Sequence, residues 1–153
     1  MKIRAHTKNY KYFLNTSLGK KLVNCLMIGG KKSKAERILL ESLVLIKLAK
    51  NKNPISLLFL SLKNVKPVVE IRSIRVRGSN YQVPVPLTEN RKTLLAIKWI
   101  ILNSRKKKAT TMKNKFKDEL ILSSYKQGGS VKKKLATHRL AIANRAFAHY
   151  RWF

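Results

Sequence analysis

Val68-Val69-Glu70-Ile71-Arg72-Ser73-Ile74-Arg75-Val76-Arg77, then Gly78-Ser79-Asn80, then Tyr81-Gln82-Val83-Pro84-Val85-Pro86 form one unbroken stretch. β-Branched residues interleave with arginine on the first limb and Tyr and Val mark the second. With turn-forming residues between them, the stretch reads as a β-hairpin over about residues 68–87. A first strand of about nine residues spans roughly 30 Å at about 3.3 Å per residue. Pro84 and Pro86 offer no amide to a further strand, so the ribbon stands alone. A lone ribbon is marginal in water, and something is expected to hold its tip.

Everything around the hairpin carries helical signals. Ser17 caps a short first helix with Leu22, Val23, Leu26 and Met27 on one side, and Gly29-Gly30 stops it. Ser33-Lys34-Ala35-Glu36 has the pattern of a capping box, followed by Ala35, Ile38, Leu39, Ser42, Ile46 and Ala49 on one helical face. Asn53-Pro54 starts a third helix with Leu58, Leu62 and Val65 inward, and Lys66-Pro67 ends it. Beyond the hairpin, Thr88 caps a fourth helix whose Leu94, Leu95, Ile97, Trp99, Ile101 and Leu102 cover most of its circumference, as in a central helix. Thr111 opens a fifth with Met112, Phe116 and Leu120 inward, stopped by Gly128-Gly129, and Ser130 caps a last one running nearly to the end. The predicted fold is mainly α: a bundle of six helices with one protruding β-hairpin between helices 3 and 4.

Charge sets the class of partner. Lys and Arg number 35 against six acids in 153 residues, a formal net charge of +29. Self-repulsion destabilises a compact domain carrying that charge, so a polyphosphate partner is implied. The apolar blocks at residues 38–48 and 55–62 are interrupted by Glu41, Lys47 and Ser61 and do not span a bilayer, so no membrane partner is expected. Residues 1–16 mix Lys2, Arg4, Lys8 and Lys11 with His6, Tyr10, Tyr12 and Phe13 and read as a basic arm, extended until it meets RNA. Residues 17–153 read as a single helical domain, and no cleaved presequence is expected. Arg91, Lys98 and Arg105, seven apart, make a basic stripe on the fourth helix. Lys132, Lys133 and Lys134 sit in the first turn of the last helix, against the positive end of its dipole, where a bound phosphate would gather amides and ammonium groups on one anion.

Catalytic patterns fail. Gly30-Lys31-Lys32-Ser33 resembles the end of a phosphate-binding loop, but Cys25 stands where its first glycine belongs and Lys32 where Ser or Thr is needed. Cys25 is alone, and His138 and His149 have no carboxylate or thiol close in sequence, so no metal and no cofactor are expected. Six acids and no nucleophile motif leave no basis for an enzyme.

Four stretches occur in an order that resembles the family of small-subunit ribosomal protein seven. They are Gly29-Gly30-Lys31-Lys32-Ser33-Lys34-Ala35-Glu36, Asn64-Val65-Lys66-Pro67, Gly78-Ser79-Asn80-Tyr81-Gln82-Val83-Pro84-Val85 and Ala143-Asn144-Arg145-Ala146-Phe147-Ala148-His149-Tyr150-Arg151-Trp152. The resemblance covers residues 18–152 and implies the same six-helix bundle with its hairpin. It further implies a structural constituent of the small ribosomal subunit that binds the 3′ major domain of small-subunit rRNA and organises head assembly. Carried onto this chain, rRNA contacts fall on Lys31, Lys32, Arg72, Arg75, Arg91, Lys98, Arg105, Lys113, Lys132, Lys133 and Lys134. Composition adds Lys2 and Arg4. The hairpin tip, Arg77, Gly78, Ser79, Asn80 and Tyr81, would lie near exit-site tRNA and mRNA. Residues 147–153, with Tyr150 and Trp152, would meet a neighbouring protein of the platform.

Two departures from the bacterial pattern stand out. Arg77 replaces a glycine at the tip, and Leu135, Ala136 and Ile142 replace polar residues on the last helix, an apolar strip expected to face an additional protein. The bias to Lys, Asn, Ile and Leu and the scarcity of acids point to a mitochondrial ribosome, with a bacterial cytoplasm or a plastid as alternatives. A basic helical DNA-binding protein is the competing class, and a polybasic membrane-surface protein the third.

Overall fold

The computed structural model describes residues 10–50, 53–108 and 111–150. The elements run α1 (Lys11–Asn15), α2 (Ser17–Leu26), α3 (Lys32–Lys50), α4 (Pro54–Val65), β1 (Val69–Val76), β2 (Ser79–Pro86), α5 (Glu89–Lys106), α6 (Met112–Ser124) and α7 (Gly129–Ala143). A 3-10 helix, Arg145–Tyr150, follows. The mainly helical class with a single hairpin is as predicted. The additional α1 places the hairpin between the fourth and fifth helices.

One hydrophobic core joins these helices. α6 packs on α3, α4 and α5, and α5 also meets α2 and α7. Leu39, Leu43, Ile46, Leu58, Val65, Ile97, Ile100, Phe116 and Leu120 are nearly or wholly shut off from solvent. Three of the buried serines are satisfied by their own helix: Ser42, Ser61 and Ser104 hydroxyls donate to the carbonyls of Leu39, Leu58 and Ile100 at 2.7, 2.8 and 2.7 Å. Asn53 caps α4 as predicted, its side chain accepting from the Ile55 amide at 3.1 Å.

Several local expectations give way to tertiary context. Residues 10–16 are not an extended arm: α1 forms there and Phe13, only 2% exposed, enters the core. Thr16 locks the α1–α2 corner, its hydroxyl donating to the Phe13 carbonyl at 2.6 Å and accepting from the Gly19 amide at 3.1 Å. α3 begins at Lys32, so Ser33 lies inside the helix rather than capping it, and Glu36 sits 4.0 Å from Lys32 instead. Ala49 and Leu102 are exposed, whereas Leu40, Val44 and Ile100 are buried. α6 is closed by Lys126, not by the glycines. Lys126 takes φ 58°, and the Gln127 amide reaches back to the Leu122 carbonyl at 2.9 Å in a Schellman closure. Ser130 lies one residue inside α7, which starts at Gly129 and ends at Ala143.

The hairpin forms within the predicted range, pairing from Val69 opposite Pro86 to Val76 opposite Ser79. Its strands of eight residues reach about 26 Å at about 3.3 Å per residue. The turn is tighter than expected. Arg77 and Gly78 alone form it, at φ 48° and 88°, which is left-handed backbone at both central residues and matches a type I′ connection. An arginine held left-handed costs about 1–2 kcal/mol. Arg77→Gly is therefore expected to stabilise the protein by about 1 kcal/mol, read as a higher denaturant midpoint with an unchanged slope; an unmoved or lower midpoint would contradict the turn assignment.

Nor does the ribbon project bare. β1 lies along α7 and β2 along the 3-10 helix. The Tyr81 ring packs 5.1 Å from Phe147 and 5.3 Å from Tyr150. At the base, the Val68 amide donates to His138 Nε2 at 3.2 Å and the Leu87 amide to the Val68 carbonyl at 3.2 Å. The support that the sequence reading sought outside the chain is supplied in part from within it.

Candidate nucleic-acid interface

Where a cation points depends on what its acids do. Among the described residues all six carboxylates are engaged, and between them they hold nine cations. Four bridge different elements, Glu119 of α6 on Lys107 just after α5 being one. Glu70 on β1 takes Arg72 at 2.9 Å and Arg91 of α5 at 3.1 Å. Glu41 on α3 takes Lys113 of α6 at 3.0 Å and Arg37 at 4.0 Å. Glu89 at the start of α5 takes Lys92 at 2.8 Å and Lys66, just after α4, at 3.5 Å. Six anions cannot balance 35 cations, so most of the positive charge has no carboxylate to meet.

The predicted contact residues divide accordingly. Lys31 and Lys32 are exposed at the entry to α3, behind Gly29 and Gly30 in left-handed backbone. Arg91, Lys98 and Arg105 do form one exposed stripe along α5, and Arg105 is steadied by donating to the Leu26 carbonyl at the end of α2, 3.2 Å away. Arg72 and Arg91 meet on Glu70, beside a cleft of about 470 Å³ at the hairpin base. Arg75 is not with them. Residues opposed across a ladder share a face: Arg72 opposes Val83, whereas Arg75 opposes Asn80, putting the two arginines on opposite faces of the ribbon. Lys113 is half-buried on Glu41 and ties two helices together. Lys2, Arg4 and Trp152 lie outside the described residues.

Lys132, Lys133 and Lys134 do not converge on one anion. Lys132 is exposed, Lys133 sits 5.6 Å over the Trp99 ring, and Lys134 donates to the Asn64 carbonyl at 2.8 Å, joining α7 to α4. Burial pushes the Lys134 ammonium below the usual lysine range, with Lys126 adding to the effect. The helix start is also already occupied. Glu119, on α6 and fully buried, accepts from the Ser130 amide at 3.0 Å and its hydroxyl at 2.6 Å, and meets Lys107 Nζ at 2.8 Å. Burial would raise this carboxyl, but the bonds from Lys107 and Ser130 outweigh it and hold it below the ordinary glutamate range. Sequence reasoning missed this group, although Glu119 falls on the inward stripe of Phe116 and Leu120.

The remaining reactive groups are quiet. Burial raises the Cys25 thiol despite the opposing charge of Lys98, which keeps it from being a thiolate. His138 is lowered by burial and by Lys134, consistent with a neutral ring whose Nε2 accepts from Val68. His149 packs on Tyr150, 4.1 Å away, in a different element from His138. No group of metal-ligating side chains occurs among the described residues, and no helix there is long and apolar enough to cross a membrane. At the tip, Arg77, Gly78, Ser79 and Asn80 are exposed, whereas Tyr81 is half-buried under the 3-10 helix. Tyr150, expected to meet a neighbouring protein, is in ring contact with the chain's own hairpin. Leu135 and Ile142 are 51% and 73% exposed on α7, one helical repeat of seven apart.

Comparison with known proteins follows the same line. A family model described as ribosomal protein S7p/S5e matches residues 2–145. The small ribosomal subunit protein uS7 of Petrotoga mobilis is 50% identical over 132 residues, 86% of this chain and 85% of that protein. Those of Heliobacterium modesticaldum and Metamycoplasma arthritidis are 46% and 44% identical over 138 residues, 90% of this chain and 88% of each relative.

Proposed function

Since the chain belongs to the ribosomal protein S7p/S5e family, we propose that it is a non-catalytic constituent of the small ribosomal subunit that binds the 3′ major domain of the small-subunit rRNA and organises the head around it. The observation that carries this reading is the charge pattern: all six acids are engaged within the protein, Glu36 on Lys32 and Glu70 on Arg91 among them, while Lys31, Arg75, Lys98, Arg105 and Lys132 are exposed on the frame outside those ion pairs. Release of condensed counterions drives association, and the frame decides which RNA shape fits. Helices do not enter the narrow major groove of A-form RNA, so recognition runs through backbone geometry and unpaired nucleotides.

The exposed turn at Arg77 and Gly78 is the part of the hairpin available to exit-site tRNA and mRNA. Leu135 and Ile142 form the strip on which a neighbouring small-subunit protein of the head or platform would dock. RNA or solvent against that strip in the assembled particle would remove this part of the reading. The mitochondrial setting inferred from composition gains nothing from the three bacterial relatives, and a bacterial cytoplasm accounts for them equally well.

The test is a filter-binding competition. An rRNA fragment of the 3′ major domain should displace labelled RNA at far lower concentration than duplex DNA or an unrelated folded RNA. Equal competition by duplex DNA would favour the DNA-binding alternative and overturn the proposal.

A further inference from the structure

At the opposite end of the sequence from the Leu135 strip, α1, α2 and the start of α3 enclose a cleft of about 480 Å³. Its geometry is fixed from below. Phe13 anchors α1 in the core, Thr16 clamps the corner, and Gly19 lets α2 pass so close that a Cβ there would collide with the Phe13 carbonyl. Val23 lies on the apolar floor, and Lys11, Lys20 and Lys32 stand around the rim. Tyr12, next to fully buried Phe13, is left 62% exposed at the mouth. Asn15 and Asn24 add carboxamides, each both donor and acceptor. The single acid at the rim, Glu36, is 4.0 Å from Lys32 and leaves the other two ammonium groups unopposed.

An exposed aromatic face over an apolar floor, carboxamide edges and surplus ammonium charge meet the three needs of a nucleotide: stacking for the base, hydrogen bonds for its edge, and cations for its phosphate. The volume lies within the range of small-molecule pockets, about 300–1,000 Å³. We propose that this cleft receives one unpaired, splayed-out nucleotide of the rRNA, its base stacked on Tyr12 and its phosphates held by Lys11 and Lys20. The proposal rests on the rRNA-binding reading above. A nucleotide already in the bound strand arrives at high effective concentration, whereas a free one pays the full cost of association against flexible lysines.

The experiment uses the full chain and the 3′ major domain fragment, with a nucleoside monophosphate as a separate arm. Tyr12, Lys11 and Lys20 are exposed, so their variants should keep the wild-type circular dichroism and melting temperature. Tyr12→Ala should weaken fragment binding about tenfold at an unchanged salt slope, and Tyr12→Phe should restore it, because stacking and not charge is lost. Lys11→Ala with Lys20→Ala should instead flatten the slope by about 1.4–1.8 log units per decade. Ultraviolet cross-linking should join a peptide containing Tyr12 to a single unpaired position. Wild-type preference for rRNA together with unaltered Tyr12→Ala binding overturns the cleft alone. Saturable binding of the free monophosphate with no Tyr12 effect on RNA reassigns it to a small molecule and also overturns the proposal. A wild type without preference for rRNA overturns the underlying reading and the cleft with it.

Discussion

Glu119→Ala is expected to destabilise the free protein by about 3–5 kcal/mol, the usual cost of removing one partner from a buried ion pair. The substitution leaves Lys107 facing a hole, strips the Ser130 amide of its acceptor and leaves the Ser130 hydroxyl only the longer 3.4 Å bond to the Trp99 carbonyl. α7 would then begin on an uncompensated dipole with Lys132, Lys133 and Lys134 in its first turns and nothing negative nearby. Glu119→Gln keeps an acceptor for Ser130 but not the charge opposite Lys107, and should fall between the two. Chemical denaturation monitored by tryptophan fluorescence, to which Trp99 and Trp152 both contribute, measures both. A loss below about 1 kcal/mol for the alanine variant would mean that the pair contributes no more than a surface salt bridge. The pH dependence has a definite sign. The Glu119 carboxyl is held below its unfolded value, so its contribution is fully present above about 4.3, the ordinary glutamate pKa, and is lost as pH falls through the lower folded value. Acid should therefore erode the wild type over that window more steeply than the alanine variant.

The second large effect is on RNA. With six to ten phosphates engaged, affinity for the rRNA fragment should drop about 10³- to 10⁵-fold between 50 and 200 mM salt. The structure divides the lysines that look equivalent in sequence. Lys132→Ala, at an exposed position, should lower the salt slope by about 0.7–0.9 log units per decade. Lys113→Ala should leave the slope almost unaltered, because that charge is committed to Glu41, and should register as lost stability instead. A wild-type slope of one or two would show that few cations reach phosphates. Equal effects of the two variants would show that the internal ion pairs do not survive RNA binding.

Periodic signals in the sequence were reliable wherever a long element had room to display them. α3, α5 and the existence of the hairpin follow from spacing, though its register does not, and Asn53-Pro54 marks the start of α4 by local chemistry alone. Short or long-range features were not legible. Five residues of α1 cannot show a helical period, so Phe13 among lysines and tyrosines looked like part of a sticky arm rather than a core anchor. The acceptor at the start of α7 comes from Glu119, eleven residues earlier, so Ser130 has the local pattern of a cap and is in fact one of the donors. Much the same holds for the proposed interface. The α5 stripe was visible as a repeat of seven, but the division between outward Lys132 and inward-tied Lys134 depends on where Asn64 lies, seventy residues away.

Tyr81, Phe147 and Tyr150 have a mechanical meaning as well. Their ring contacts join the ribbon to the C-terminal 3-10 helix, and the bond from Val68 to His138 joins its base to α7. A ligand at the ribbon whose affinity depends on these ring contacts would alter binding at the tail by the same factor with which a tail binder alters its own, because coupling free energy is reciprocal.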